Sequence, residues 1–392
     1  MKIATLKKIK NIKNKIVFLR VDFNVAIEKG KVTEDYRIVA GLETINFLLE
    51  RGARLIVATH LGDPKGKPDE KFSVKPVALR LKTLLKKPVK FIPEVTGLKV
   101  DKAISELKAG ELIMLENLRF NPGELTNDKK FAKELAGLAD IYVNDAFSVC
   151  HREQASVAAI KSYLPSYAGL LLEKEVSALN KVMKPVKPLV VIMGGSKIST
   201  KAPLISKLYG AANQILLGGA LANNFFKYQK LEIGKSLFDA DSLVSVKKFY
   251  KGKKLAAKII LPIDVVVKTK NGSPLVRRPN EVKPGESIFD IGPETISLYS
   301  QYIKAARTLV WNGPMGKFEE ASFKHGTISI ALLVASRASG KAYGLVGGGE
   351  TVEALELTKM AEYVDWVSTA GGAMLTYLGG GKMPGLSKIV SK

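Results

Sequence analysis

Two groups of residues in this chain have the types and spacing to handle an anionic, phosphate-bearing ligand. The first is the stretch VVIMGGSKISTK (190–201), where an apolar run breaks at Gly194 and Gly195, with Lys197 and Lys201 following four residues apart. Glycine lets a ligand approach backbone N–H groups closely, and paired ammonium groups attract negative charge. The spacing fits neither the phosphate-loop pattern nor the dinucleotide fingerprint. The second group lies just past four apolar runs of the first half: Asp22 and Asn24, then His60, then Arg119, then Arg152 after a short loop. Arg37 joins them beyond the turn-like EKGK (28–31). Arginine's planar fork suits carboxylate and phosphate. One such arginine alone reads as a surface charge with an acidic neighbour, but the set, at equivalent positions, reads as an anion site.

Other chemistries find little support. The three histidines, His60, His151 and His325, are too scattered for a histidine-based zinc site. Cys150 is the only cysteine, which excludes a disulfide framework and a thiolate metal cluster and fits a reducing, cytoplasmic compartment. It adjoins His151, but sequence neighbours rarely face each other, so a Cys–His nucleophile is set aside. No apolar run reaches the roughly 18 residues of a membrane helix. The net charge of +24 points to an anionic partner. Its lysines are spread along the chain, and the densest run, LKKIKNIKNK (6–15), reads as a solvated face around one short strand. No basic helix with interleaved aromatics marks a nucleic-acid footprint.

These residues need a scaffold that brings strand ends together. KIVFLRVDFN (15–24), ARLIVATHLGD (53–63), ELIMLENLRF (111–120) and DIYVNDAF (140–147) are continuous apolar runs of the kind buried on both faces of a sheet. Helix-like segments at 41–52, 74–87 and 127–140 alternate with them. The alternation predicts a parallel, doubly wound α/β sheet with ligands beyond the carboxyl ends of its strands. In the second half, runs at 188–195, 213–220, 308–316, 342–350 and 365–372 each end in glycines. An arginine-rich rim and a glycine-rich rim imply two ligands, one small and strongly anionic, the other flatter and phosphate-tailed, as a nucleotide is. SYAGLLLEKEVSALNKVM (166–183) has helical periodicity and KPVKP (184–188) stops it, which places a linker helix at 166–184 between domains at 1–165 and 185–370. Within GGSKISTK, Pro203 suits the first turn of a helix capped by Ser199 or Thr200, leaving Lys201 near the helix N-terminus. A cation there opposes the helix dipole unless an anion lies between them or the side chain points into water. The adjacent glycines favour a phosphate.

RVDFNV (20–25), THLGDPKGKP (59–68), ENLRF (116–120), HREQAS (151–156), GGSKISTK (194–201), DIGPET (290–295), WNGPMGKFE (311–319), VGGGETVEA (346–354) and VSTAGGAMLTYLGGGKMPG (367–385) resemble, in order, the motifs of the phosphoglycerate kinases. The resemblance runs from about residue 15 to about residue 386. It implies two doubly wound domains facing a central cleft and hinge-bending to close it, with a C-terminal segment at 371–392 returning toward the N-terminal domain. It further implies a cytoplasmic monomer, reversible phosphoryl transfer between 1,3-bisphosphoglycerate and ADP, and magnesium accompanying the nucleotide. Asp22, Phe23, Asn24, Arg37, His60, Leu61, Gly62, Asp63, Arg119 and Arg152 match the glycerate site, with Arg20 beside it. Gly194, Gly195, Lys197, Lys201, Gly218, Gly219, Asn312, Glu319, Gly348, Gly349, Glu350 and Thr351 match the nucleotide site, Glu350 also serving the metal. Arg37, Lys201, Gly371 and Gly372, with Thr369 in the same loop, match the groups that stabilise the moving phosphoryl group.

The chain departs from that pattern at several points. Asp63 stands where arginine is usual, reversing a charge beside the substrate phosphate, where Lys65 or Lys67 would have to substitute. Glu350 replaces an aspartate and lengthens the arm to the metal by one methylene. Ala370 interrupts a glycine run, and Thr376 stands where glutamate is common. Two other readings stay open at this level: a polyanion-binding protein on the same fold, whose binding would collapse steeply with salt, and a kinase forming the acyl phosphate of a related small acid.

Overall fold

In the computed structural model, residues 3–196, 198–240, 243–251 and 258–389 are described, so Lys197 of the nucleotide-site expectation lies outside them. The chain divides into two units, Met1–Ser177 with Lys382–Lys392, and Ala178–Gly381.

In the first unit the central strand is Ile16–Arg20. Its Val17 and Leu19 pack on one face with Ile45, Leu55 and Val57, and its Phe18 on the other with Ile56, Ile113 and Tyr142. With both faces covered there is no place for alternating polar residues, which is why the run is continuous. Six strands run parallel in the order Lys90–Ile92, Leu112–Leu115, Arg54–Ala58, Ile16–Arg20, Ile141–Asn144, Ser166–Ala168. The winding reverses between Ile16–Arg20 and Ile141–Asn144, and the crevice beyond their carboxyl ends is where such sheets accept ligands. Helix Lys75–Leu85 buries Val77, Ala78, Leu81 and Leu85 against this sheet. It has Pro76 in its first turn and ends at Lys86, in the left-handed conformation with φ 53°. Its start is held by Glu116, whose carboxylate accepts from the Val74 N–H at 2.8 Å and the Ser73 hydroxyl at 2.7 Å.

The second unit carries a parallel sheet in the order Ile259–Ile260, Gln214–Leu217, Leu189–Met193, Thr308–Asn312, Tyr343–Gly347, Trp366–Ser368. Here the reversal falls between Leu189–Met193 and Thr308–Asn312. Beside it, Val265–Lys268 pairs antiparallel with Pro274–Arg277 and Ser287–Ile291.

Several local expectations change. Ser166–Ala168 is an edge strand paired with Tyr142–Asn144, and the helix begins only at Leu170 and runs to Met183. Three residues are too few to show strand periodicity. The lysine-rich start holds no strand: Leu6–Lys8 is a 3-10 turn, with Leu6 and Ile12 buried between exposed lysines. Pro203 lies in the second turn of helix Ile198–Leu208, not the first, and Lys201 is the fourth residue of that helix. Proline there supplies no N–H to the Ser199 carbonyl, a loss tolerated so near the helix start. Residues 371–381 belong with the second unit, where Gly379 lies against Pro203 and Leu204, and the segment joining the first unit starts at Lys382. There Gly385 donates its N–H to the Cys150 carbonyl at 2.8 Å, and the Lys161 ammonium donates to the carbonyls of Pro384 and Ser387.

Candidate active site

At the first crevice the sheet delivers Asp22 and Asn24 past one strand and Ser148 past its neighbour. The Asp22 carboxylate accepts from Arg37 and from the Ser148 hydroxyl, bridging the reversal point. His60 Nδ1 stands 3.8 Å from the same carboxylate and 3.3 Å from Arg20. Asn24 accepts the Gly62 N–H at 2.8 Å, and the Gly62 carbonyl accepts from Arg119 at 2.6 Å. Arg152, exposed, acts by its charge on both Arg119 and His60. Asp22, Arg37, His60, Arg119 and Arg152 thus occupy one neighbourhood. Phe23 and Leu61 are packed into the core beneath them and present no side-chain polar group. Asp63 is exposed, with Lys65 3.2 Å away.

Burial works against the Asp22 carboxylate, but His60 when protonated, Arg37, the Ser148 hydroxyl and Arg20 hold its pKa below the ordinary value. Burial drives His60 well below 6.5, with Arg20, Arg119 and Arg152 pushing the same way. His60 is therefore neutral near pH 7, its approach to Asp22 is not an ion pair, and Arg37 supplies the standing counter-charge. Arg20 is wholly buried and engaged inward, donating to Ser156 at 2.9 Å while Glu124 sits 3.9 Å away and accepts from the Ser156 hydroxyl at 2.7 Å. Arg119 is 6% exposed, and its Nε and Nη2 are buried without a partner. Orphaned guanidinium donors are costly, and a ligand oxyanion would satisfy them.

At the second crevice, glycine is needed for close approach. A Cβ on Gly194 would collide with the Pro314 carbonyl, and Gly195, at φ 81°, is left-handed and lies against the Lys201 ammonium. The Lys201 ammonium donates to the Gly194 carbonyl, and burial lowers its pKa from 10.5 to about 8 while Glu350 pulls it back up. The turn after Thr308–Asn312 forms one wall: Gly195 donates its N–H to Pro314 at 2.8 Å, and Gly219 its own to Met315 at 2.7 Å. Gly218 packs against Met315. Asn312 donates to the Gly347 carbonyl at 2.5 Å, and the Thr351 hydroxyl accepts from the Gly313 N–H at 2.6 Å. Gly348 (φ 106°) precedes helix Gly349–Leu357, which opens with the exposed Glu350. Glu319 is exposed, and Gly371, at φ 49°, begins helix Gly372–Leu378 with open space where a Cβ would be.

Among the described residues no three His, Cys, Asp or Glu side chains gather in a way that could hold a metal. A single exposed carboxylate, Glu350, near a buried ammonium fits an ion brought in on nucleotide phosphates better than a resident one. Ser148, Thr59, which accepts the Phe23 N–H at 2.9 Å, and Thr327 join these sites without having been singled out in the sequence. Isolated hydroxyls carry no motif, and only the sheet order brings them in. Cys150 is buried and burial pushes its thiol up to about 12. Alkylation by iodoacetamide at pH 8 is therefore expected to run roughly a thousandfold slower in the native chain than after guanidinium unfolding, as followed by mass spectrometry. Equal rates would show an exposed, ionised thiol.

Comparison with known proteins agrees over the whole length. The family model described as phosphoglycerate kinase matches residues 6–381. The chain is 42% identical over 388 residues to the phosphoglycerate kinase of Fervidobacterium nodosum, covering 97% of each. It is 43% identical over 393 residues to that of Moorella thermoacetica, covering 99% of each. The solved phosphoglycerate kinase of Coxiella burnetii superposes with a TM-score of 0.86 at 39% identity, covering 99% of this chain and 98% of that one. The Pyrococcus horikoshii structure gives 0.83 at 30% identity, with 98% of each covered. No helix among the described residues is long and apolar enough to cross a membrane.

Proposed function

The chain belongs to the phosphoglycerate kinase family, glycolytic phosphotransferases with a carboxyl group as acceptor, and from that premise we propose that the first crevice holds the glycerate substrate and the second holds ADP or ATP. The observation carrying this reading is that each sheet gathers cationic and backbone donors past its carboxyl ends: Arg37, held by Asp22, and Arg119 beyond one, Lys201 and its glycines beyond the other.

In ATP synthesis the bond between phosphorus and the acyl oxygen of 1,3-bisphosphoglycerate breaks, and one forms to a terminal phosphate oxygen of ADP. The attacking oxygen is an anion in either direction, so no proton need be removed. The barrier is charge repulsion and alignment. Asp22 and Asn24 orient the hydroxyl and carboxyl end of the glycerate, while Arg119, Arg152 and neutral His60 hold its oxygens. The glycines at 194, 195, 218, 219, 348 and 349, with Asn312 and Thr351, line the nucleotide phosphates, and Glu319 reaches the ribose. Lys201, Arg37 and the backbone N–H groups of Gly371 and Gly372 take up charge on the moving phosphoryl group. Magnesium, bound with the nucleotide at Glu350, would neutralise phosphate charge. The same reading makes the chain a cytoplasmic monomer that keeps water from the moving phosphoryl group, since water would otherwise accept it.

The test is a coupled assay of ATP formation from ADP and 1,3-bisphosphoglycerate with magnesium. No turnover by the intact chain would end the reading. A second measurement addresses Asp63, whose exposed pairing with Lys65 contributes little. Asp63→Arg frees Lys65 and adds positive charge near Arg119, so the KM for 3-phosphoglycerate is expected to fall or hold, with the difference shrinking at high salt. A several-fold rise would mean that Asp63 itself serves binding.

A further inference from the structure

The motif DIGPET (290–295) has no role in the reading above, yet its first residue lies under the nucleotide cradle. Asp290 is the penultimate residue of the strand Ser287–Ile291 and is 2% exposed. Its carboxylate accepts the Ile291 N–H at 2.9 Å and, on its other oxygen, the Gly326 N–H at 2.7 Å. Gly326 is the second residue of helix His325–Ala338, so the carboxylate caps a helix of 14 residues. The next residue, Thr327, is wholly buried, and its hydroxyl accepts the N–H groups of Met315 at 3.0 Å and Gly316 at 3.1 Å. Gly316 and Gly326 both pack so closely on the carboxylate that a Cβ on either would collide with it. Lys317 adds an N–H to the Phe289 carbonyl at 2.7 Å.

The Gly313–Gly316 turn therefore has two faces. One faces the cradle, through the Pro314 and Met315 carbonyls bonded to Gly195 and Gly219. The other rests on Asp290 and Thr327. We propose that Asp290 is a positioning residue for the nucleotide, acting through Gly326 and Thr327 to set the height of the Gly313–Gly316 turn and hence of the glycines that line the phosphates. This rests on the nucleotide reading of that crevice. Burial raises the Asp290 pKa to about 7, opposed by its bonds from Gly326 and Ile291. Its charge then changes where the enzyme works, and the ionised form is the stronger cap. The charged groups on the surrounding elements are engaged with one another: Lys268 with Glu320 at 2.9 Å, and Lys317 with the same Glu320 at 2.5 Å. Asp264, just before the adjoining strand Val265–Lys268, accepts the Glu294 and Thr295 N–H groups. Lys324 and His325 open the capped helix.

The experiment measures KM for ADP, KM for 1,3-bisphosphoglycerate and kcat for Asp290→Asn, Thr327→Val and Thr327→Ser between pH 6 and 8, with ADP binding to the unaltered chain measured by calorimetry. For Asp290→Asn the ratio of its ADP KM to that of the unaltered chain is expected near one at pH 6, rising several-fold by pH 8. Substrate ionisation and Lys201 are common to both enzymes and cancel. Thr327→Val should raise the ADP KM about tenfold at every pH, and Thr327→Ser should restore it, with the bisphosphoglycerate KM unmoved throughout. If both residues only support the fold, melting temperatures drop while the ADP KM stays flat, and the proposal is overturned. If the unaltered chain binds no ADP, the inference falls together with the nucleotide reading. An effect confined to the bisphosphoglycerate KM would overturn it as well.

Discussion

Lys201→Met is expected to lower kcat/KM for ADP by about 10² to 10³, the usual consequence of removing one preorganised charge-stabilising donor. Methionine keeps the aliphatic stem, so the packing of helix Ile198–Leu208 should survive. The stability change should have the opposite sign. A lysine whose folded pKa is depressed from 10.5 to about 8 is charged at a cost in the fold. Its neutral form is favoured, so the stability associated with this group is complete only above the ordinary lysine pKa and is lost as pH falls through about 8. At pH 7 the variant should therefore melt higher than the unaltered chain, and less so at pH 9. For the unaltered chain, kcat/KM for ADP should decline above about pH 8 as the ammonium loses its proton. Steady-state kinetics and calorimetric melting on the same preparations check both halves. Activity retained with stability lowered would identify Lys201 as a packing residue.

Arg37→Ala has the second largest expected effect, of a different kind. Arg37 is the standing counter-charge of Asp22, with side chains 22% and 10% exposed. Removing it strands a buried carboxylate, and about 3 kcal/mol of stability should go, at the lower end for a broken buried pair because Arg37 is partly solvated. Turnover should fall about a hundredfold, while ADP affinity, which the proposed reading assigns to the other unit, stays within twofold. The acid side of the stability profile should also change. The Asp22 pKa lies below its ordinary value, so this carboxylate stabilises the fold above its unfolded pKa and ceases to as pH falls through the folded one. That contribution should shrink in Arg37→Ala, leaving only what His60, Ser148 and Arg20 supply. The double variant Asp22→Asn with Arg37→Ala should recover stability but not turnover. A single variant with unchanged kcat would take Arg37 out of the phosphoryl transfer.

The sites were legible in the sequence to the extent that single strands carried them. Asp22, His60 and Arg119 follow continuous apolar runs, and Gly194 and Gly348 end others, so their position past the carboxyl ends of parallel strands was readable without knowledge of strand order. Strand order was beyond reach. Nothing local says that Ile16–Arg20 lies between Arg54–Ala58 and Ile141–Asn144, and that adjacency alone puts Ser148 on Asp22. Short elements were lost for a related reason: Lys90–Ile92 and Ser166–Ala168 are each three residues long and owe their existence to a neighbouring strand. Asp290 and Thr327 stand 36 and 11 positions from groups they bond. One carboxylate and one hydroxyl at those separations leave no pattern in composition or period.

The path of the last residues bears on how the chain leaves the ribosome. The segment from Lys382 onward completes the first unit, with Gly385 on Cys150 and with Lys161 surrounded by carbonyls of Pro384 and Ser387. About two hundred residues separate Ser177 from that segment. At synthesis rates of about 5–20 residues per second, the amino-terminal half waits roughly 10–40 s for its final piece. Throughout that interval its Lys161 and Asn144 lack partners they later bond, so the nascent first half is less protected than the finished one, and the second sheet can be completed before the first unit is closed.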